Sequence, residues 1–192
     1  MGKLNFITES IEIPKDVQLS IENKIVAIVG PKGEIKRDFS HARPVKFNKE
    51  DNKLTLNIKN PNKKNRALIY TLKSHIMNII DGVTKGPYVI KMKIVYAHFP
   101  ITVNVKDRKV FIENFLGERS PRTAEIFGEK TEVTVEGDDV LVKNINIEEA
   151  GQTAANIQKA TKIKKKDPRT FQDGIFKYQE FLGDKLIWKL KF

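Results

Sequence analysis

The sequence is written twice over. Val17, Leu19 and Ile21 alternate with polar residues, Asn23-Lys24 turns the chain, an apolar run fills residues 25–29, and Gly30-Pro31-Lys32-Gly33 follows. In the second half Ile101, Val103 and Val105 alternate, Asp107-Arg108 turns the chain, Val110-Phe111-Ile112 runs on, and Leu116-Gly117-Glu118 follows. Gly33 and Gly117 lie 84 positions apart (117 − 33), as do Val17 and Ile101 (101 − 17). Alternation at period two marks half-buried antiparallel strands, and Asn, Asp and Gly mark their turns. Residues 53–58 and 140–142 then take equivalent places as the last strand before a helix, and residues 131–135 supply a hairpin partner for the second of these across Glu136-Gly137-Asp138-Asp139.

Each half closes with helical periodicity. Leu68, Leu72, Ile76, Ile79, Ile80 and Val83 predict a helix over residues 63–81, with Gly82 as its stop. Asn146 with Glu149 makes a capping-box-like start for a second helix over 147–162, whose apolar face is thin: Ala150, Ala154 and Ile157. The expected fold class is therefore α+β: two tandem duplicated modules, each an antiparallel β-sheet packed on one α-helix. The first module spans residues 1–86 and the second 87–192, opening on a long strand at 88–99. Residues 170–192 read as an extension ending in a strand or a docking tail.

Charge narrows the partner. The chain carries 35 Lys and Arg against 24 Asp and Glu, a net +11 over 192 residues. Such an excess favours a polyanion, because neutralising phosphates releases condensed counterions. The lack of cysteine excludes disulfides and thiolate metal sites. No apolar run approaches the roughly 18–20 residues of a membrane span, and the first residues read as neither a secretory signal nor a myristoylation site.

The sequence offers no convincing catalytic constellation. Gly30-Pro31-Lys32-Gly33 lacks the Gly-Lys-Ser/Thr of a phosphate loop and reads as a hairpin turn. His41, His75 and His98 stand alone, and Ser40-His41 and Ser74-His75, being adjacent, cannot form a nucleophile–base pair. The expectation is no enzyme, no cofactor and no metal. The basic clusters are more informative. Lys162, Lys164, Lys165, Lys166 and Arg169 crowd the exit of the second helix, with Phe171, Phe176 and Tyr178 beyond. Cations neutralise phosphates and aromatics stack on splayed bases, although a solvated charge run beside core aromatics reads equally well locally. Arg119-Ser120-Pro121-Arg122 sits at a hairpin tip, where guanidinium forks suit phosphate. Lys63-Lys64-Asn65-Arg66 opens the first helix, where bare amides and cations attract anions, although solubility explains it about as well.

Several segments together resemble large-subunit ribosomal protein six, called protein nine in eukaryotes, in its archaeal and eukaryotic branch. They are Val29-Gly30-Pro31-Lys32-Gly33 with Arg37-Asp38-Phe39, Ser74-His75-Ile76 with Gly82-Val83-Thr84, Val95-Tyr96-Ala97-His98-Phe99-Pro100-Ile101, and Asn114-Phe115-Leu116-Gly117-Glu118, while Gly151-Gln152-Thr153-Ala154-Ala155-Asn156-Ile157 resembles the corresponding helix of bacterial members. The C-terminal signature is a spaced run of Lys166, Arg169, Phe171, Asp173, Gly174, Ile175 and Phe176. Lys159 stands where that signature usually begins with Gln, Pro168 lies inside it, and the apolar tail after Tyr178 is unlike the family's polar tails.

The resemblance implies a structural constituent of the large ribosomal subunit. It would bind large-subunit rRNA near the sarcin–ricin loop and stalk base, chiefly through the second module, and support the region where translation factors dock. On this reading Lys162, Lys164, Lys165, Lys166 and Arg169 neutralise phosphates, Arg119 and Arg122 probe a second strand, Phe171 packs rather than stacks, Asp173 belongs to the signature, and Gly174 permits a tight turn or close approach. Expected partners are rRNA and neighbouring large-subunit proteins near the stalk base. No membrane and no homo-oligomer is expected. The location is the cytoplasmic ribosome, with nucleolar assembly if the source is eukaryotic. Residues 162–170 are expected to fold partly on binding. Two rivals stand beside this: a nucleotide enzyme using Gly30–Gly33, and a protein-interaction module using the apolar tail.

Overall fold

The computed structural model describes residues 6–59, 61–97, 99–167 and 169–191. His98, Pro168 and Phe192, singled out above, lie outside these. The chain divides into two compact units, Met1–Gly86 and Pro87–Phe192.

Unit 1 contains β1 (Phe6–Glu12), β2 (Gln18–Glu22), β3 (Ile25–Gly30), β4 (Gly33–Asp38), β5 (Lys46–Glu50), β6 (Lys53–Lys59) and α1 (Lys63–Lys85). These strands form two antiparallel sheets, ordered β2-β3-β4 and β1-β6-β5, and α1 packs against strands of both. The alternation read from the sequence is the cause: Leu54, Leu56 and Ile58 on β6 turn inward to meet Ile69, Leu72, Ile76 and Val83 on α1, all buried. Each such side chain contributes about 1.5–3 kcal/mol when fully removed from water.

Unit 2 contains β7 (Tyr88–Val95), β8 (Thr102–Lys106), β9 (Lys109–Glu113), β10 (Arg122–Glu125), β11 (Glu132–Glu136), β12 (Asp139–Asn144), α2 (Ile147–Ala160), β13 (Gly174–Leu182) and β14 (Lys185–Lys189). Its sheets are ordered β10-β9-β8 and β11-β12-β7-β13-β14. Strands β8–β10 repeat β2–β4, and β7, β11 and β12 repeat β1, β5 and β6. The repeat extends to turn type. Asn23 and Lys24 have φ of 48° and 66°, and Asp107 and Arg108 have 48° and 59°. Two consecutive positive φ values are the signature of the tight turn that matches strand twist.

Three expectations are corrected. Each unit holds two sheets where the sequence predicts one, with β1, β4, β5 and β10 added to the predicted strands. In β5 only Phe47 is even partly buried, so no alternation betrays it. Second, α1 does not stop at Gly82. It runs to Lys85 with Gly82 buried inside it, and Gly86, at φ 121°, ends it. The hairpin tip explains this: Lys32 N–H donates to the Val83 carbonyl at 3.0 Å, and Gly30 lies so close that a Cβ there would meet Val83 at 2.8 Å. Burying Ile79, Ile80 and Val83 outweighs the ~1 kcal/mol that glycine costs a helix. Third, the strand expected to reach residue 99 ends at Val95, and the second helix ends at Ala160.

Candidate nucleic-acid interface

Residues 162–173 cross from the end of α2 to the start of β13, and both ends of this crossing are pinned. At the first end Thr161 is buried. Its hydroxyl donates to the Gln158 carbonyl at 3.1 Å and accepts from Ile175 N–H at 3.1 Å, joining the last turn of α2 to β13. Arg122, the first residue of β10, reaches the same place. Its Nη1 donates to the carbonyls of Ala160 at 2.9 Å and Lys162 at 3.2 Å. Its Nε and Nη2 grip the two Glu118 carboxylate oxygens at 2.8 and 2.6 Å, and its guanidinium lies 4.2 Å from the Phe115 ring centre. A cation beside the last carbonyls also suits the helix dipole. Hydrogen bonding to Arg122 holds the Glu118 carboxyl below its ordinary pKa.

At the second end Asp173 is buried and accepts from Ala97 N–H at 2.6 Å, fastening the segment beyond β7. Gly174 follows at φ 159°, and a Cβ there would meet the Phe176 ring at 2.8 Å.

Between the pins the cations face water. Lys162, Lys164, Lys165, Lys166 and Arg169 are all exposed, while Ile163 packs on the core of unit 2. Asp167 shapes a turn: its carboxylate accepts from Arg169 N–H at 2.9 Å, and its carbonyl accepts from Thr170 and Phe171 N–H at 3.2 and 3.0 Å. Phe171 is half-buried, with Lys166 Nζ 4.4 Å from its ring centre.

The sequence-predicted residues thus divide by role. The five cations and Arg119, which lies exposed between β9 and β10, are available to a ligand. Arg122 is not a free probe at a tip: it makes four hydrogen bonds within the protein. Asp173 is an internal acceptor, and Gly174 serves a close approach. Sequence reasoning missed Glu118, which pairs with Arg122 four residues on, and Thr161, whose partner Ile175 lies on β13.

In unit 1, Lys63, Lys64 and Arg66 stand exposed at the start of α1, where Asn62 caps Asn65 N–H at 2.8 Å. His41 and His75, read as isolated, are electrostatic neighbours: burial, then Arg37, then His41 lower the His75 pKa. Among the described residues no group of His, Asp or Glu is placed to hold a metal, and no helix is long and apolar enough to cross a membrane.

Fold and repeat together define a duplicated two-unit α+β protein. A family model described as Ribosomal protein L6 matches residues 13–86 and again 99–174, once per unit. Large ribosomal subunit protein uL6 of Staphylothermus marinus is 51% identical over 180 residues, covering 93% of this chain and 97% of the relative. The proteins of that name from Methanosphaera stadtmanae and Saccharolobus solfataricus are 53% and 44% identical, covering 92% and 91% of this chain and 95% of each relative. The chain belongs to the ribosomal protein L6 family, on its archaeal side.

Proposed function

We propose that this protein is a structural constituent of the large ribosomal subunit that clamps large-subunit rRNA near the sarcin–ricin loop and stalk base, supporting the region where translation factors dock. One observation carries the reading: five exposed cations on a crossing pinned at both ends, with most of their neighbours devoted to holding it. Lys162, Lys164, Lys165, Lys166 and Arg169 neutralise phosphates, and Arg119 adds a contact from the β9–β10 connection. Side chains cannot read the deep groove of A-form RNA, so recognition is by backbone and shape. Arg122, Phe171, Asp173 and Gly174 position the crossing. Its partners are rRNA and neighbouring proteins of the subunit, and it acts as a single copy in the cytoplasmic ribosome. The relatives named above are archaeal, and a nucleolar step is not part of the proposal.

Sedimentation of a lysate, with this protein followed at low and high salt, tests the reading. It is expected to travel with the large subunit and polysomes and to resist moderate salt; free protein at the top of the gradient would refute the role. For isolated protein and rRNA, contact with about four to six phosphates gives a log–log salt slope of roughly −3 to −5. A slope near zero would refute the phosphate clamp. Proteolysis between residues 162 and 170 is expected to slow when rRNA is added.

A second reading, for a protein neighbour, rests on β14. All five of its residues are exposed, with Leu186, Ile187 and Trp188 among them, and it forms the sheet edge. Deleting residues 184–192 is expected to weaken retention in the particle without changing the affinity for naked rRNA.

A further inference from the structure

Beside the basic crossing, where α2 ends, lies an open groove of about 1030 Å³. It is lined by Val95, Ile163, Phe171 and Phe176 together with Lys159, Lys162 and Gln158. We infer that this groove is a second, distinct RNA subsite: it takes one or more unstacked nucleotides of a single strand, with a base against Phe176 and the flanking phosphates on Lys159 and Lys162. The inference rests on the rRNA-binding reading and deepens it, because a duplex clamp by itself has no use for the groove.

Three features favour an unstacked nucleotide. The first is the aromatic wall. Phe176 is 40% exposed although it stands on a strand inside the largest sheet. Its ring is folded back over Gly174, where a side chain would collide with it at 2.8 Å. A phenylalanine left half in water beside a basic cluster is the element that nucleic-acid modules use to stack bases without regard to sequence. The second is the distribution of charge. Lys159 and Lys162 are exposed, while Asp173 is buried and its carboxylate accepts from Ala97 N–H at 2.6 Å. That polarity places an anionic backbone outside and a neutral, flat, hydrogen-bonding group inside. The third is size. Small-ligand clefts run to about 300–1,000 Å³, so the groove holds more than a single ion or a bare phosphate.

The test compares two RNAs, unstructured hexauridylate and a blunt A-form duplex, on the full chain and on Phe176→Leu and Phe176→Tyr. Phe176→Leu is expected to weaken hexauridylate binding about five- to a hundredfold, the range for loss of one stacking aromatic. It should leave duplex binding within twofold, and Phe176→Tyr should restore the wild-type affinity. A polyglutamate peptide of matching charge should be indifferent to Phe176. Equal losses for both RNAs, no loss for either, or a polyglutamate affinity that follows Phe176 would each overturn the subsite while the duplex clamp stands. Phe176-dependent hexauridylate binding by a chain that ignores the duplex would support the subsite and overturn the clamp. A chain that binds neither RNA overturns both.

Discussion

In unit 1 the helix runs for 23 residues and passes the chain straight to Gly86; in unit 2 it stops after 14, and the chain makes a basic crossing before returning as β13. The sheets differ to match. Among the described residues β1 pairs with β6 alone, whereas its counterpart β7 lies between β12 and β13. An unpaired edge is a standing template for another strand. Unit 2 fills that edge with β13, and the route to it carries Lys162 to Arg169 over the surface. Two copies of one repeat have diverged at a sheet edge and a helix end, while Leu54, Leu56 and Ile58 in one and Val140 and Val142 in the other keep the shared interior.

The comparison can be broken at several points. Ile76→Ala in α1 and Ile157→Ala in α2 each remove a fully buried side chain, and each is expected to cost about 2–5 kcal/mol in denaturant unfolding. Only Ile157→Ala should also lower rRNA affinity, since the end of α2 holds the crossing; equal effects on binding would mean the units share the work. Replacing Lys164, Lys165, Lys166 and Arg169 by alanine is expected to lower rRNA affinity about a hundredfold or more at low salt and to flatten the salt slope by about 3–4. The matching change in unit 1, at Lys63, Lys64 and Arg66, should stay within a few-fold, and a loss as large as in unit 2 would place the interface on both units.

Arg122→Ala removes a bidentate ion pair, a ring contact and two bonds to helix-end carbonyls. With its partial exposure discounted, a stability loss of about 1–3 kcal/mol is expected in thermal or urea melts. Arg122→Lys should not recover it, because an ammonium lacks the planar fork. A silent Arg122→Ala would show that the pin is dispensable. The smallest effect is acid sensitivity. The Glu118 pKa is lowered in the folded chain, so its contribution is complete above the ordinary carboxylate value and fades as pH falls through the lowered one. Glu118→Gln should remove that part of the acid dependence, amounting to the few tenths of a kcal/mol of an exposed pair.

Legibility followed the range of the interaction that wrote each feature. The β2–β3 and β8–β9 hairpins were readable because alternation and turn residues are local. The start of α2 was readable for the same reason, with the Asn146 side chain accepting from Glu148 N–H at 3.1 Å and donating to Glu149 at 3.1 Å. β5 escaped because a strand that leaves most side chains in water needs no pattern. The internal bonds of Arg122 are not legible in the sequence, because its partners at Ala160 and Lys162 lie 38 and 40 residues away.

The sequence alone determined the duplication, the α+β class, the two helices and the basic exit from the second, because strand period, helix period and charge density are written residue by residue. Only the tertiary structure decided where α1 ends, which arginines stand exposed and which are bonded inside the protein, and that an aromatic-walled groove opens beside the cations. Those outcomes depend on which groups, remote in the chain, come within hydrogen-bonding or van der Waals reach, and forces that fall away within a few ångströms leave no trace in linear order.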